Sequence, residues 1–224
     1  MSKIIDNTPG SADYGKPIIE FTYNGKQLTK AVRGSVTHLF LYDGNGKLTG
    51  TSITQTSQNN NGVIKSVITT SGSDITNIKL LKAGDVLSAE HQITYQNGNV
   101  TKWFNPNSVE ILYQYDGNGN NTTLNIAEYS GGKPNGFTYL TTNKSFDDKN
   151  NFTKAMPYWI YFRTYHQNEF IGFVPGNHNP VTFNEGGSDK VYNYTYNSNG
   201  YPVSRTYIGS RTTESYFYEY IEVK

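Results

Sequence analysis

The residues of this chain best suited to chemistry are its four histidines, His38, His91, His166 and His178, and two strings in which oxygen-bearing side chains alternate with glycine. No two histidines stand at the short spacing that brings two imidazoles to one ion, and cysteine is absent, so neither a zinc site nor a thiolate nucleophile is expected. The alternating strings, Asp43 with Asn45 and Asp116 with Asn118 and Asn120, have the spacing of a calcium loop. Calcium takes roughly six or more oxygens and usually a closing carboxylate. Lys47 falls at a ligand position in the first string; in the second, Asn121 replaces the required glycine and Ala127 stands at the closing position. Both strings are therefore read as hairpin turns, whose backbone favours Asp, Asn and Gly.

The adjacent carboxylates Asp147 and Asp148 raise the question of glycoside hydrolysis, but neighbours in a polar run fit a solvated loop or a helix N-cap better. No Gly-x-Ser-x-Gly elbow nominates a serine nucleophile, and no glycine-rich loop carries the lysine of a phosphate cradle. No catalytic residue, metal or cofactor is expected. The stronger candidate is aromatic: Tyr158, Trp159, Tyr161, Phe162 and Tyr165 crowd into one segment, with Asn177 and Asn179 in the loop beyond. Flat rings stack on sugars and anchor protein contacts, and amides hydrogen-bond hydroxyls. Tyr158, Trp159, Tyr161, Tyr165, Asn177 and Asn179 thus form the predicted ligand-binding set. Core packing competes for the same rings, since large aromatics are usually mostly buried, and a lipid interface is a third use for Trp and Tyr.

The elements that must position these groups are strands. Between Val191 and Val223, Tyr192, Tyr194 and Tyr196 alternate with Asn193 and Thr195, turn over Asn197 to Gly200, and are answered by a Tyr-rich run from Tyr216 to Tyr220. Such alternation is strand periodicity. Weaker copies recur from Phe21 onward, with turns at Asn24, Asp43, Asn59, Gly72, Asn97 and Asp116, the spacing of an antiparallel meander. Tyr42 to Gly46 and Tyr115 to Gly119 are the same five residues, and Tyr196 to Gly200 is a looser copy at irregular spacing, so this is no fixed-period solenoid. With 19 Tyr and 11 Phe but only 35% hydrophobic residues, burial must rely on rings with a polar edge. Phe152 and Met156 at helical spacing before Pro157 predict one short helix there, and Gly172 to Gly187 reads as loop. Residues 1–16 read as a flexible leader and 17–224 as one all-β domain.

Nineteen basic against 18 acidic residues, a net charge of +1, leave no electrostatic footprint for nucleic acid or an anionic membrane. No apolar run of about 18 residues could cross a membrane as a helix. Met1 to Lys16 lacks the segments of a signal peptide, which suits a cytosolic protein or, as favoured here, a mature chain with an added Met.

The pattern of tyrosine, acidic or amide residue and turn glycine resembles the YD repeats of large bacterial surface and toxin proteins. Three segments, Phe146 to Lys154 (FDDKNNFTK), Asn177 to Phe183 (NHNPVTF) and Tyr194 to Thr206 (YTYNSNGYPVSRT), resemble more closely a family of secreted Bacteroidota lipoproteins, a domain of unknown function described as having a porin-like β fold. The resemblance covers mainly the C-terminal half and implies an envelope location and a β fold, without catalytic residues. The expected architecture is an all-β antiparallel hairpin meander forming a bent sheet or partly closed barrel, with at most one short helix. A membrane barrel is disfavoured, because no continuous apolar outer band with aromatic girdles is evident. The expected function is a non-enzymatic cell-envelope or secreted protein binding a glycan, peptide or partner protein. The alternative is a glycan-acting hydrolase using carboxylates assembled by the fold. Nucleic acid is not an expected partner, and a membrane is one only through a lipid anchor.

Overall fold

The computed structural model describes residues 1–55, 62–156, 158–165, 174–208 and 213–221. Its first eight strands are β1 (Lys3–Asp6), β2 (Pro17–Asn24), β3 (Gln27–Arg33), β4 (Val36–Tyr42), β5 (Leu48–Gln55), β6 (Val63–Ser71), β7 (Asp74–Lys82) and β8 (Leu87–Gln96). The second eight are β9 (Asn99–Asn105), β10 (Val109–Tyr115), β11 (Asn121–Ser130), β12 (Lys133–Phe146), β13 (Pro180–Glu185), β14 (Ser188–Tyr196), β15 (Pro202–Ile208) and β16 (Thr213–Glu219). Each pairs antiparallel with its sequence neighbours, and β1 pairs with β16, so these sixteen strands of the described residues form a closed up-and-down barrel. The meander was legible from the hairpins. Closure is complete rather than partial, and it removes the free edges that a sheet of this length would present.

Closure depends on a strand inside the segment expected to be a flexible leader. Lys3–Asp6 hydrogen-bonds to β2 on one side and β16 on the other, and Ile4 is fully buried opposite Ile19 and Tyr218. Four residues are too short to show alternation clearly, and the turn signals at Asn7, Pro9 and Gly10 obscure them. Asp6 then caps the following loop, accepting from Thr8 N (2.7 Å) and Ser11 Oγ (2.6 Å).

Alternation sends one set of side chains into the lumen and the other to solvent. Inward lie Phe21, Phe40, Ile53, Ile78, Ile93, Trp103, Ile111 and Leu124, all buried. Outward lie Thr22, Lys30, Ser52, Lys79, Gln92 and Thr123, together with exposed apolar residues such as Leu39, Leu41, Val67, Leu112, Leu140 and Phe217. Cross-strand ion pairs join Lys3 to Glu20, Lys79 to Glu90 (each 3.7 Å), Lys102 to Glu110, and Lys144 to Asp189 (2.6 Å) on this outer wall. A lipid-facing barrel has a continuous apolar band on its wall; here ion pairs and polar side chains stand among the exposed apolar ones.

A barrel of about sixteen strands would enclose an aqueous channel unless something filled it. Here the connection between β12 and β13 enters the lumen as a plug. It carries one turn of 3-10 helix, Phe152–Ala155, and one α-helix among the described residues, α1 (Trp159–Tyr165). The α-helix therefore lies beyond Pro157, in the aromatic segment, and not before it at Phe152 and Met156 as expected. Ile160, Tyr161 and Phe162 are buried against the wall, with Phe162 edge-on to Phe21 at 5.3 Å. Burial of one such side chain is worth about 1.5–3 kcal/mol. The stretch read as loop up to Gly187 also contains β13, whose Phe183 stacks on Tyr192 at 4.6 Å.

Candidate functional site

In an up-and-down meander every second turn returns to the same rim. The turns after β4, β6, β8, β10 and β14 share theirs with the plug connection. All three tyrosine–glycine strings lie on this rim, and their carboxylates are occupied locally. Asp43 Oδ1 accepts from Asn45 N and Lys47 N, each at 2.9 Å, and Asp116 Oδ1 accepts from Asn118 N and Asn120 N, each at 2.9 Å. Hydrogen bonds from these N–H groups hold the Asp116 carboxyl below its usual range although burial opposes it. A register shift precedes each string, at Tyr42, Tyr115 and Tyr196, and tips the tyrosine towards the core. Tyr42 Oη donates to Leu28 O (2.7 Å) and Tyr115 Oη to Val100 O (2.8 Å), each fastening its hairpin to the preceding one. Tyr23 and Tyr220 do the same to Met1 O and Pro202 O, each at 2.6 Å.

Two of these turns also clamp the plug. Asn177 N donates to Gly119 O (3.0 Å) and Asn177 Nδ2 to Asn118 O (2.6 Å), while His178 N bonds Asn120 Oδ1 (3.1 Å). Opposite, Asn150 donates through N to Gly200 O and through Nδ2 to Asn199 O, both at 3.0 Å. Beneath the clamps, Asn151 and Asn179 are fully buried. Asn151 Oδ1 accepts from Thr153 N (2.9 Å), and its Nδ2 reaches Val174 O (3.1 Å) and His178 O (3.0 Å). Asn179 Nδ2 donates to Asp147 Oδ2 and Asn150 O, both at 3.0 Å, and Tyr196 Oη also donates to Asp147. The three segments that carry the family resemblance thus meet in one hydrogen-bonded knot. Buried amides with every arm occupied are structural anchors, so Asn179 presents nothing to a ligand.

The predicted aromatic set is divided by depth. Tyr161 is fully buried, and its hydroxyl lies 2.7 Å from His38 Nδ1 and 2.9 Å from Thr51 Oγ1. Tyr165 packs edge-on to His38 at 4.5 Å. Burial lowers His38 to about 3, helped by the charge of Arg33, so the ring is neutral. His166 lies outside the described residues. Tyr158 and Trp159, half-buried at the start of α1, reach the rim instead. Tyr158 stacks on Phe40 at 5.8 Å, and Trp159 stands edge-on to Tyr113 at 6.5 Å.

Tyr158 and Trp159 line a cleft of about 630 Å³ between the plug and the rim. Asn177, Lys154 and Thr153 share the plug side; Asp74, Tyr95, Asn97 and Asn99 form the barrel side. Of the six predicted ligand-binding residues, the structure therefore gathers Tyr158, Trp159 and Asn177 here, buries Tyr161 and Asn179, and leaves half-buried Tyr165 outside the cleft. Asp74, Asn97 and Asn99 read in the sequence only as turn residues. Asn97 does adopt a left-handed φ of 51°, and so does Tyr158, where a bulky residue at this φ costs about 1–3 kcal/mol. Asp74 is the one carboxylate among the described lining residues, so a paired-carboxylate hydrolase is not built in this cleft.

These features define a closed β-barrel with charged and polar side chains on its outer wall and its own β12–β13 connection in the lumen, with a cleft where that connection meets the rim. No protein-family model matches the chain, and no curated protein does. Similar solved structures include a porin-like protein from Bacteroides uniformis, at 12% identity and TM-score 0.48, covering 97% of this chain and 95% of that one. Another is a porin-like protein from Bacteroides vulgatus, at 11% identity and TM-score 0.47, covering 98% of each.

Proposed function

We propose that this is a non-enzymatic binding protein of the cell envelope or the secreted space, which stands in water and takes a glycan, peptide or protein segment in its rim cleft. The observation that carries this reading is the pairing of half-exposed Tyr158 and Trp159 with polar side chains on the opposite wall, at the mouth of a barrel whose lumen holds its own β12–β13 connection. Convergent polar groups around apolar rings are the usual composition of a ligand site. The envelope setting is supported by the resemblance of the three segments that form the plug knot. Membrane attachment is then through a lipid anchor, because strand insertion would bring the ion pairs of the outer wall against hydrocarbon.

Two measurements test it. In detergent phase separation the unlipidated chain stays in the aqueous phase, and in a planar bilayer it adds no conductance; a stepwise channel current would overturn the reading. A thermal-shift screen of glycans and peptides raises the melting temperature for at least one compound, since a ligand that binds only the folded state stabilises it by mass action.

A further inference from the structure

Resting on that reading, we infer that the ligand of the rim cleft is a neutral glycan, whose sugar ring lies against Tyr158 and Trp159 while Asp74, Asn97, Asn99 and Asn177 take its hydroxyls. The hydrogen-bonding capacity at this site is open. Among the described residues, the side chains of Asp74, Asn97 and Asn99 have no hydrogen-bond or ion-pair partner. Asn177 is held by its Nδ2 on Asn118 O, which fixes the side chain and leaves Oδ1 as an acceptor. A carboxylate accepts from two hydroxyls, and each amide both donates and accepts, the pattern that a vicinal diol matches.

The rings are equally prepared. Tyr158 is backed by Phe40, and its hydroxyl lies 3.4 Å from that of Tyr42, so its position is set before a ligand arrives. Preorganisation of this kind lowers the cost of binding.

Other ligand classes fit worse. A peptide bound as an added strand needs a free sheet edge, and every strand of this barrel is paired on both sides. An amphipathic helix needs a hydrophobic groove, whereas the barrel side here sets Ser73, Asp74, Asn97 and Asn99 among Ile75, Tyr95 and Val100. A phosphorylated or sulfated ligand needs a cluster of cations, and among the described lining residues the cleft offers Lys154 as its one cation, with Asp74 an opposing charge on the other side. A sugar, with an apolar face of C–H groups and an edge of hydroxyls, matches both walls at once.

The test follows the fluorescence of Trp159 at the cleft against that of Trp103, which is buried and hydrogen-bonded to Thr164. The full chain is titrated with neutral hexasaccharides of α- and β-linked glucose, mannose and xylose, and in parallel with proline-rich, acidic and basic peptides. At least one hexasaccharide is expected to give a saturable change. Calorimetry should then show about tenfold or greater weakening for Trp159→Ala and for Asp74→Asn, the typical effect of losing a ring or a charged hydrogen-bond acceptor. Asp74→Asn is isosteric and removes no contact within the protein, so it folds even where Trp159→Ala does not. Saturation by a peptide with no response to any hexasaccharide would overturn the glycan inference and leave the cleft as a binding site. A flat response to every probe would overturn both. Glycan affinity unchanged in Asp74→Asn would place the sugar elsewhere.

Discussion

Acidification tests the packing of the lumen. His38 and His91 are fully buried: one ring faces the Tyr161 hydroxyl, and the other stacks on Trp103 at 4.8 Å and 14°, with Asn105 Nδ2 3.4 Å from its Nε2. Burial lowers His38 from 6.5 to about 3 and His91 from 6.5 to about 4. Below pH 6.5 the unfolded chain binds protons at both sites that the folded barrel refuses, so stability is full above 6.5 and falls as the pH drops towards those folded values. At about 1.4 kcal/mol per pH unit per site, moving from about pH 7 to about pH 5 removes about 2 kcal/mol for each histidine and about 4 for the pair. That is a large part of the roughly 5–15 kcal/mol that a domain possesses. The carboxyls of Asp6 and Asp116 are lowered from 3.8 and act only below that value, outside this window. Urea unfolding at the two pH values, at fixed ionic strength, reads the loss directly. His91→Phe, which keeps a flat ring beside Trp103, should show about half of it, and a double variant with His38→Gln should show only the remainder due to the Met1 amino group, which burial lowers from 8.0. Equal wild-type stability at both pH values, or an undiminished loss in the double variant, would refute the assignment.

Removing residues 1–6 takes away β1 and the buried Ile4, and with them the closure of the barrel; unfolding curves should show a loss of about 3 kcal/mol or more, or no folded protein at all. Gly119→Ala places a Cβ 2.5 Å from Asn177 Nδ2 at a φ of 75°, so it should cost about 1–3 kcal/mol and expose the plug to limited proteolysis. Gly25→Ala, with φ 55° and open space around it, should cost about 1 kcal/mol and leave proteolysis unchanged. Calcium titrated into chelator-treated protein should leave the melting temperature flat, because Asp43 and Asp116 already bond the N–H groups of their own turns; a saturable rise would contradict that role.

The sequence exposed the wall of this molecule more readily than its contents. Strands such as β4 and β10 announce themselves by alternation and by their Asp-Gly-Asn-Gly turns, because both signals are local. The plug left no such mark. Its helix is seven residues long and carries rings on nearly all sides, so it shows no amphipathic period, and only the lumen around it explains the composition. The same difficulty divided the aromatic set. Tyr158 and Tyr161 lie three residues apart, yet one reaches the rim and the other the hydrogen-bond chain of His38 and Thr51, a distinction made by depth in the barrel. Asp74, Asn97 and Asn99 belong to turns more than twenty residues apart in the chain, and adjacency along the rim alone makes them one surface. β1 was hidden by brevity, and nothing within four residues signals that a partner waits at the far end of the chain.

Where Tyr23, Tyr42, Tyr115 and Tyr220 fasten their strands to earlier ones, the wall is a chain of self-attaching links. A link of this kind carries its own turn, its own strand pair and its own hook, and it asks nothing of the links further round. Such a wall has no intrinsic circumference. What the ring must match is the object it encloses, since Ile160, Tyr161 and Phe162 of α1 are buried against the wall and Phe162 packs on Phe21. Gain or loss of a hairpin would therefore have to be matched by a change in the girth of the plug, while the turns on the rim remain free to vary.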